Sequence, residues 1–341
     1  MKKEVVLVTG GAGFIGSNFI PYFLSKYPNY HVINLDALTY AGDLKNLKEI
    51  EKHPNYSFIK GNIKDKQLLL NIFEKYNVKH VIHFAAESHV DNSIKSPISF
   101  VETNVMGTMN LLEVARNHWM EKPFVYKESY KNSRFHHIST DEVYGSLGRD
   151  GFFTENSPYA PNSPYSASKA SSDMLVRSYF RTYGLNVVTT NCSNNYGPKQ
   201  HDEKLIPTLI RKALNGERLP IYGDGKNIRD WLYVEDHCKA IDLVFHKGSA
   251  GETYLIGGKN EKTNLEIAEI ICNYLDEKLP QRTSYKNLIY FIQDRPGHDF
   301  RYAIDPSKIE TELGWQPEES FVTGIKKTID WYINKYTKME V

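Results

Sequence analysis

Over its first 140 residues the chain alternates between two patterns of hydrophobic and polar positions. The short runs EVVLVT at 4–9, HVINLD at 31–36, YSFIKGNI at 56–63, HVIHFAA at 80–86 and RFHHIST at 134–140 are mostly apolar and β-branched. Strands buried on both faces of a parallel sheet have this composition. Between the runs, apolar residues recur at helical spacing over 14–26, 65–76 and a longer stretch near 100–118. Strand and helix in alternation predict a doubly wound parallel sheet.

Beyond residue 140 the pattern is less regular. The loop ENSPYAPNSPYSASK leads into an amphipathic helix over 165–182, and LNVVTTN at 185–191 reads as another sheet strand. Past Pro198 the segments shorten: LIPTLIRKALNG and TNLEIAEIICNYL are helical, and LPIYGDGKNIRDWLYVED places a Gly-Asp-Gly turn between strand-like runs. YVEDHCKAIDLVFHKG followed by ETYLIGG adds one more helix and strand. The expected organisation is a sheet domain over 1–197, to which the chain returns at 232–257, and a smaller C-terminal α+β lobe from 198–231 and 258–341.

Composition narrows the partners. At 40% hydrophobic and 24% charged residues, the chain has the make-up of an ordinary globular protein. Its 42 Lys and Arg against 41 Asp and Glu leave no field to attract a polyanion, so nucleic acid is not expected. Cys192, Cys238 and Cys272 are too few and scattered for a disulfide framework or a metal knuckle, and no metal is expected. The start MKKEVVLVTGG is too short in apolar residues for a signal peptide, and no run of 18 apolar residues follows. A cytoplasmic chain with no membrane partner is the expectation.

The first strand ends in chemistry. Gly10, Gly11, Gly13 and Gly16, with Phe14 and Ile15 between them, lead into the first helix. Glycines there permit a tight turn and close backbone approach to a pyrophosphate, and the helix N-terminus presents free N–H groups. Alone, the motif is only suggestive and also fits a bare glycine turn. Asp36, 20 residues after Gly16 at the end of the second strand, favours a dinucleotide, because its carboxylate is placed to accept from ribose hydroxyls. Ala37 and Leu38 follow with no arginine for a 2′-phosphate, which points to NAD. Asn62 and Ile63 after the third strand, and Ala85 and Ala86 after the fourth, stand where adenine and ribose would lie.

Tyr165 and Lys169 share a helix face, where an ammonium favours a phenolate able to take a proton from a hydroxyl. The spacing itself says little, since Tyr22/Lys26, Tyr56/Lys60, Tyr222/Lys226 and Tyr274/Lys278 repeat it. Only the pair at 165 and 169 follows the fifth strand of the sheet. That strand ends in Ser139, Thr140, Asp141 and Glu142, a hydroxyl and two carboxyls at the edge where active sites gather. Adjacent carboxyls are commonly just solvated; with different surroundings one serves as acid and the other as base.

TGGAGFIGS, AAESHVDNS, STDEVYG, YSASKASSD, NCSNNYGP, RDWLYVEDH and DRPGHDFRYAID together resemble the dTDP-glucose 4,6-dehydratases, a family of extended short-chain dehydrogenases/reductases, along essentially the whole chain. The resemblance implies a Rossmann-type fold and a lyase acting on dTDP-glucose with bound NAD. Tyr165 is implied as the base at C4, assisted by Lys169 and Thr140, Glu142 as the base at C5 and Asp141 as the acid at C6. It further implies nucleotide-sugar contacts from Ser88, Thr140, Asn194, Lys204, Leu205, Ile221, Tyr222, Arg229, Asn264, Arg295 and His298. Arg229 and Arg295 are the implied diphosphate contacts, and each is equally placed to be a surface ion pair. Thr103, Ser139 and Asn195 are implied as cofactor neighbours. A homodimer, and a place in deoxysugar biosynthesis such as that of rhamnose, follow from the same resemblance. Asn62, Asn92 and Phe300 depart from the family's Asp, Arg and Arg. The alternatives are a UDP-sugar 4-epimerase or UDP-glucose 4,6-dehydratase on the same fold, and a non-catalytic NAD-binding sensor or scaffold.

Overall fold

A computed structural model describes residues 3–337; the expected domain ends at 1–2 and 338–341 lie outside the described residues. The chain opens with β1 (Glu4–Thr9), α1 (Phe14–Lys26), β2 (Tyr30–Asp36), β3 (Tyr56–Lys60), α2 (Lys66–Tyr76), β4 (His80–His83), α3 (Val90–Lys95) and α4 (Pro97–Phe100). A π-helical stretch, Val101–Gly107, leads into α5 (Thr108–Trp119), the short hairpin β5 (Met120–Lys122) and β6 (Val125–Tyr126), and β7 (Arg134–Thr140). Then come α6 (Pro164–Tyr183), β8 (Val187–Cys192), β9 (Asn194–Tyr196), α7 (Leu205–Leu214), β10 (Leu219–Tyr222), β11 (Ile228–Tyr233) and α8 (Val234–Lys247). The chain continues through β12 (Thr253–Ile256), β13 (Glu261–Thr263), α9 (Asn264–Lys278), β14 (Ile289–Ile292), α10 (Ser307–Leu313) and α11 (Phe321–Thr337).

Seven strands form one parallel sheet in the order β12-β8-β7-β4-β1-β2-β3, the Rossmann-type arrangement. Val6 pairs with Val32 of β2 on one side and His80 of β4 on the other, so the winding reverses at β1. That reversal opens a crevice at the C-terminal ends of β1 and β4. Both faces are covered. Val6, Val8, Val32 and Ile82 pack with Phe19, Phe23, Ile241 and Phe245 of α1 and α8. Leu7, Ile33, Val81 and Phe135 pack with Phe73, Leu112, Trp119 and Val176 of α2, α5 and α6. Alternate residues thus enter two different cores, which is why these strands read as unbroken apolar runs.

A third core, that of the smaller lobe, surrounds Tyr196, Ile210, Trp231, Ile271, Ile329 and Tyr332, beneath the small sheet β13-β11-β9 and the parallel pair β10-β14. Between these pieces the chain returns to the main sheet, α8 packing beside α1 and β12 pairing with β8.

β3 and β4 stop at Lys60 and His83, short of the expected 63 and 86, because the residues beyond them leave the sheet to line the crevice. The helix expected near 100–118 begins earlier, at Pro97, and widens to π winding over Val101–Gly107. Within the widened turn, Asn104 bonds the Glu87 backbone in both directions, at 2.9 and 3.0 Å, and donates to Ser168 Oγ at 2.8 Å. α6 starts with a Ser163/Ser166 capping box and Pro164 in its first turn, and ends at Gly184 with φ +72°.

Candidate active site

The glycine turn works only because it carries no side chains. Gly10 has φ +71°, and a Cβ on it would stand 2.6 Å from the Ala85 backbone; one on Gly16 would stand 2.6 Å from the Gly10 carbonyl oxygen. α1 has no side-chain cap at its N-terminus, which leaves its first amides for an anion. Asp36 accepts from Ala12 N at 2.9 Å and Leu38 N at 2.8 Å, one bond per oxygen, which leaves about two of its four acceptor sites for ribose hydroxyls. These features fit a dinucleotide. Asn62 uses its amide oxygen to accept from Lys64 N at 2.9 Å.

One crevice joins this turn to the ends of β7 and β8. Gly10, Gly13, Phe14, Ile15, Gly16, Asp36, Asn62, Ile63, Ala85, Ala86, Thr103, Ser139 and Asn195 line it, as do Thr140, Asp141, Glu142, Tyr165, Lys169, Ser88, Asn194 and Lys204. Thr39, Gly42, Glu87, Cys192, Gln200, His201 and Glu203 line it too, and sequence reasoning missed them. The usable signal for Thr39 and Gly42 was their position just beyond Asp36.

The remaining expected residues lie outside that lining. Leu205 opens α7 and Asn264 opens α9, while Ile221 is buried in the core of the smaller lobe. Tyr222 OH donates to Asp91 Oδ2 at 3.0 Å, and Arg295 Nη1 reaches Asp91 Oδ1 at 3.4 Å. The Arg229 guanidinium lies 4.2 Å over the Tyr302 ring and donates to the Asp299 carbonyl at 2.9 Å. His298 Nδ1 pairs with Asp294 Oδ1 at 2.6 Å.

Asp141 and Glu142 are neighbours in sequence, both buried, with different charges around them. Burial, then Glu142, then Asp230 push the Asp141 carboxyl well above its ordinary 3.8, and its Oδ2 has no partner among the described residues. It is held as the neutral acid. Burial also raises Glu142 above its ordinary 4.5, against the opposing pull of Arg295, Lys204 and Arg229. Arg229 opposes the rise of both carboxyls, but Asp141 also faces Glu142 and Asp230, whereas Glu142 also faces Arg295 and Lys204. Thr140 joins them, its Oγ1 accepting from Glu142 N at 3.3 Å.

Tyr165 packs edge-on to Phe100 at 6.3 Å, and burial, Glu142 and Cys192 raise its phenol well above the usual value while the Thr140 hydroxyl pulls it down. Lys169 Nζ donates to the Ile138 carbonyl at 2.8 Å; burial lowers its ammonium and Asp173 opposes that. Lys204 Nζ donates to the Ser88 carbonyl at 2.9 Å, from the second lobe across to the first.

Replacing Asp141 by Asn keeps the shape and hydrogen-bonding capacity of a neutral carboxyl. Turnover is expected to fall about 10²- to 10³-fold, for loss of a positioned acid. Stability should move the other way. A carboxyl raised on folding favours the folded state most below its unfolded value and ceases to do so as pH rises through the folded one. The Asp141→Asn melting temperature should thus exceed wild type most at high pH, and the gap should close toward pH 3.8, as differential scanning fluorimetry across pH would record.

A family model described as GDP-mannose 4,6 dehydratase matches residues 7–328. The dTDP-glucose 4,6-dehydratase of Xanthomonas campestris is 53% identical over 333 residues, covering 97% of this chain and 93% of its own. Among solved structures, the dTDP-glucose 4,6-dehydratase of Bacillus anthracis in complex with NAD aligns with TM-score 0.86 at 48% identity, covering 98% of each chain. That of Streptomyces venezuelae, also with NAD bound, gives TM-score 0.89 at 46% identity, again over 98% of each chain.

Proposed function

The chain belongs to the dTDP-glucose 4,6-dehydratase family, and from that membership we propose how its own residues carry out the reaction. It is an NAD-dependent lyase that converts dTDP-glucose to dTDP-4-dehydro-6-deoxyglucose and water. NAD bound there would supply the hydride chemistry, an acceptor at C4 and a donor at C6. Gly10 to Gly16, Asp36 and the amides opening α1 hold it.

Tyr165 removes the proton of the C4 hydroxyl, with Lys169 favouring the phenolate and Thr140 donating to it. The resulting C4 ketone acidifies C5–H. Glu142, poised by three cations, takes that proton; Asp141, kept neutral, gives its own to the departing C6 hydroxyl, and water leaves. Glu142 exchanges that proton with solvent before protonating C5, and the proton gained by Tyr165 balances the one Asp141 gave up. Lys204, Arg229 and Arg295 supply positive charge for the diphosphate from the second lobe. NAD belongs to the part up to 197 and 232–257, and the nucleotide sugar to 198–231 and the lobe from 258 onward. The observation that carries this assignment is the contrast between Asp141 and Glu142.

The test is incubation of the purified protein with dTDP-glucose and, separately, with UDP-glucose, followed by mass spectrometry and NMR of the sugar. Loss of one water from dTDP-glucose is expected. A C4-inverted product of unchanged mass, water loss from UDP-glucose alone, or no conversion contradicts the reading.

We also propose a cytoplasmic homodimer. Among the described residues no helix is long and apolar enough to cross a membrane, and the three cysteines are free and buried. Ile98, Val101 and Met174 stand 71%, 49% and 57% exposed on α4, the π stretch and α6, which pack together. Clustered apolar exposure of this kind suits a seam between copies. Light scattering after size exclusion should give twice the 39.3 kDa chain mass, and one chain mass for Val101→Asp combined with Met174→Asp.

A further inference from the structure

One turn beyond Lys169 on α6 stands a buried carboxylate that the mechanism above does not use. Asp173 Oδ2 accepts from Ser139 Oγ at 2.9 Å, Tyr159 OH at 3.1 Å and Asn191 Nδ2 at 3.1 Å, and Oδ1 faces His137 Nε2 at 3.0 Å. Four partners from β7, β8 and the loop before α6 thus converge on it, an arrangement suited to the acceptor-only carboxylate form. Lys169, one turn earlier on the same helix, is also buried; its Nζ donates to the Ile138 carbonyl, and Asp173 acts on it across the helix turn without a direct ion pair.

The other titratable groups facing this pair carry no charge at neutral pH. Burial holds His83 on β4 well below its ordinary value and His137 on β7 down at about 4. Burial likewise raises Cys192 on β8, Tyr144 in the turn after β7 and Tyr159. Asp141 and Glu142 act on Tyr165 instead.

We propose that Asp173 is the buried counter-charge of Lys169, a positioning residue that keeps the ammonium charged beneath Tyr165 while the surrounding donors hold the carboxylate in place. It acts through Lys169 and touches no substrate atom. The proposal rests on the reading of Tyr165 and Lys169 given above.

The direct test is lysine titration by NMR in ¹³Cε-lysine-labelled protein, with the Lys169 resonance identified by its loss in Lys169→Arg. In Asp173→Asn the Lys169 midpoint should fall by about one pH unit or more. Asp173→Ser, also neutral, serves if the first variant does not fold, and Asp173→Glu should restore the wild-type midpoint. A second readout is the half-reaction with dTDP-6-deoxyglucose, which has no C6 hydroxyl to lose and stops after C4 oxidation. Its alkaline limb should move down with the Lys169 midpoint. An unmoved midpoint in a folded neutral variant, even with slower turnover, overturns the proposal and leaves Asp173 a packing residue. A Lys169→Met protein that performs the half-reaction at the wild-type rate instead overturns the underlying reading of Lys169.

Discussion

The Glu142→Gln protein is expected to oxidise dTDP-glucose at C4 once and then stall, with turnover about 10³-fold below wild type. Glutamine keeps the size and shape of the side chain but cannot take the C5 proton, so elimination has no base. The first step should survive, because the Glu142 charge is among the causes that raise the Tyr165 phenol. Removing that charge makes the phenolate easier to form. Reduced nicotinamide should therefore build up toward one per site, visible in the near-ultraviolet, while the sugar retains its C6 hydroxyl. Turnover within about tenfold of wild type would mean that another group removes the C5 proton.

Tyr165→Phe should fail one step earlier. The phenylalanine ring keeps the contacts with Phe100 and Val90, so the fold should hold, but no group remains to receive the C4 proton. An expected loss of about 10³-fold or more in kcat/KM comes without accumulation of reduced cofactor, which distinguishes this variant from Glu142→Gln. The sign of the pH dependence is also fixed. A phenol raised by burial acts as a base only once deprotonated, so wild-type C4 oxidation should speed up as pH rises, and the residual rate of Tyr165→Phe should lose that slope. Rapid cofactor reduction by Tyr165→Phe would contradict the assignment.

The main sheet was legible because each strand answers to two cores. Val6 and Leu7 are both buried, on opposite faces, and that condition writes an apolar run that needs no knowledge of the partner strands. The site was legible for a related reason: in a sheet of this topology the residues after each strand converge at the switch point, so Gly10, Asp36, Ala85 and Thr140 could be placed from strand ends alone.

The second lobe was less legible. β10 pairs with β14, and β11 with β9 and β13, across long separations, through strands of 3 to 6 residues too short to impose a period. Neither was the π stretch foreseeable, since weak helix formers such as Val101, Thr103, Asn104 and Gly107 do not tell a widened turn from an ordinary one. The contacts that accompany its wider turn are tertiary: Asn104 on the Glu87 backbone, and Gly107, where a Cβ would stand 2.5 Å from Ile63 Cδ1. The difference between Asp141 and Glu142 was posed by the sequence but set by distant residues, Asp230 beside the one and Arg295 and Lys204 beside the other.

The central claim is that one site removes a hydride, expels water across C5 and C6, and restores the hydride without releasing its cofactor. Incubating the purified protein with dTDP-glucose in D₂O with no NAD added, followed by NMR and mass analysis of the sugar, tests all three together. The account predicts a 4-keto-6-deoxy product with deuterium at C5, formed on cofactor that stayed bound through purification. A product with no solvent deuterium at C5, or a C4 epimer that keeps its C6 hydroxyl, would contradict it.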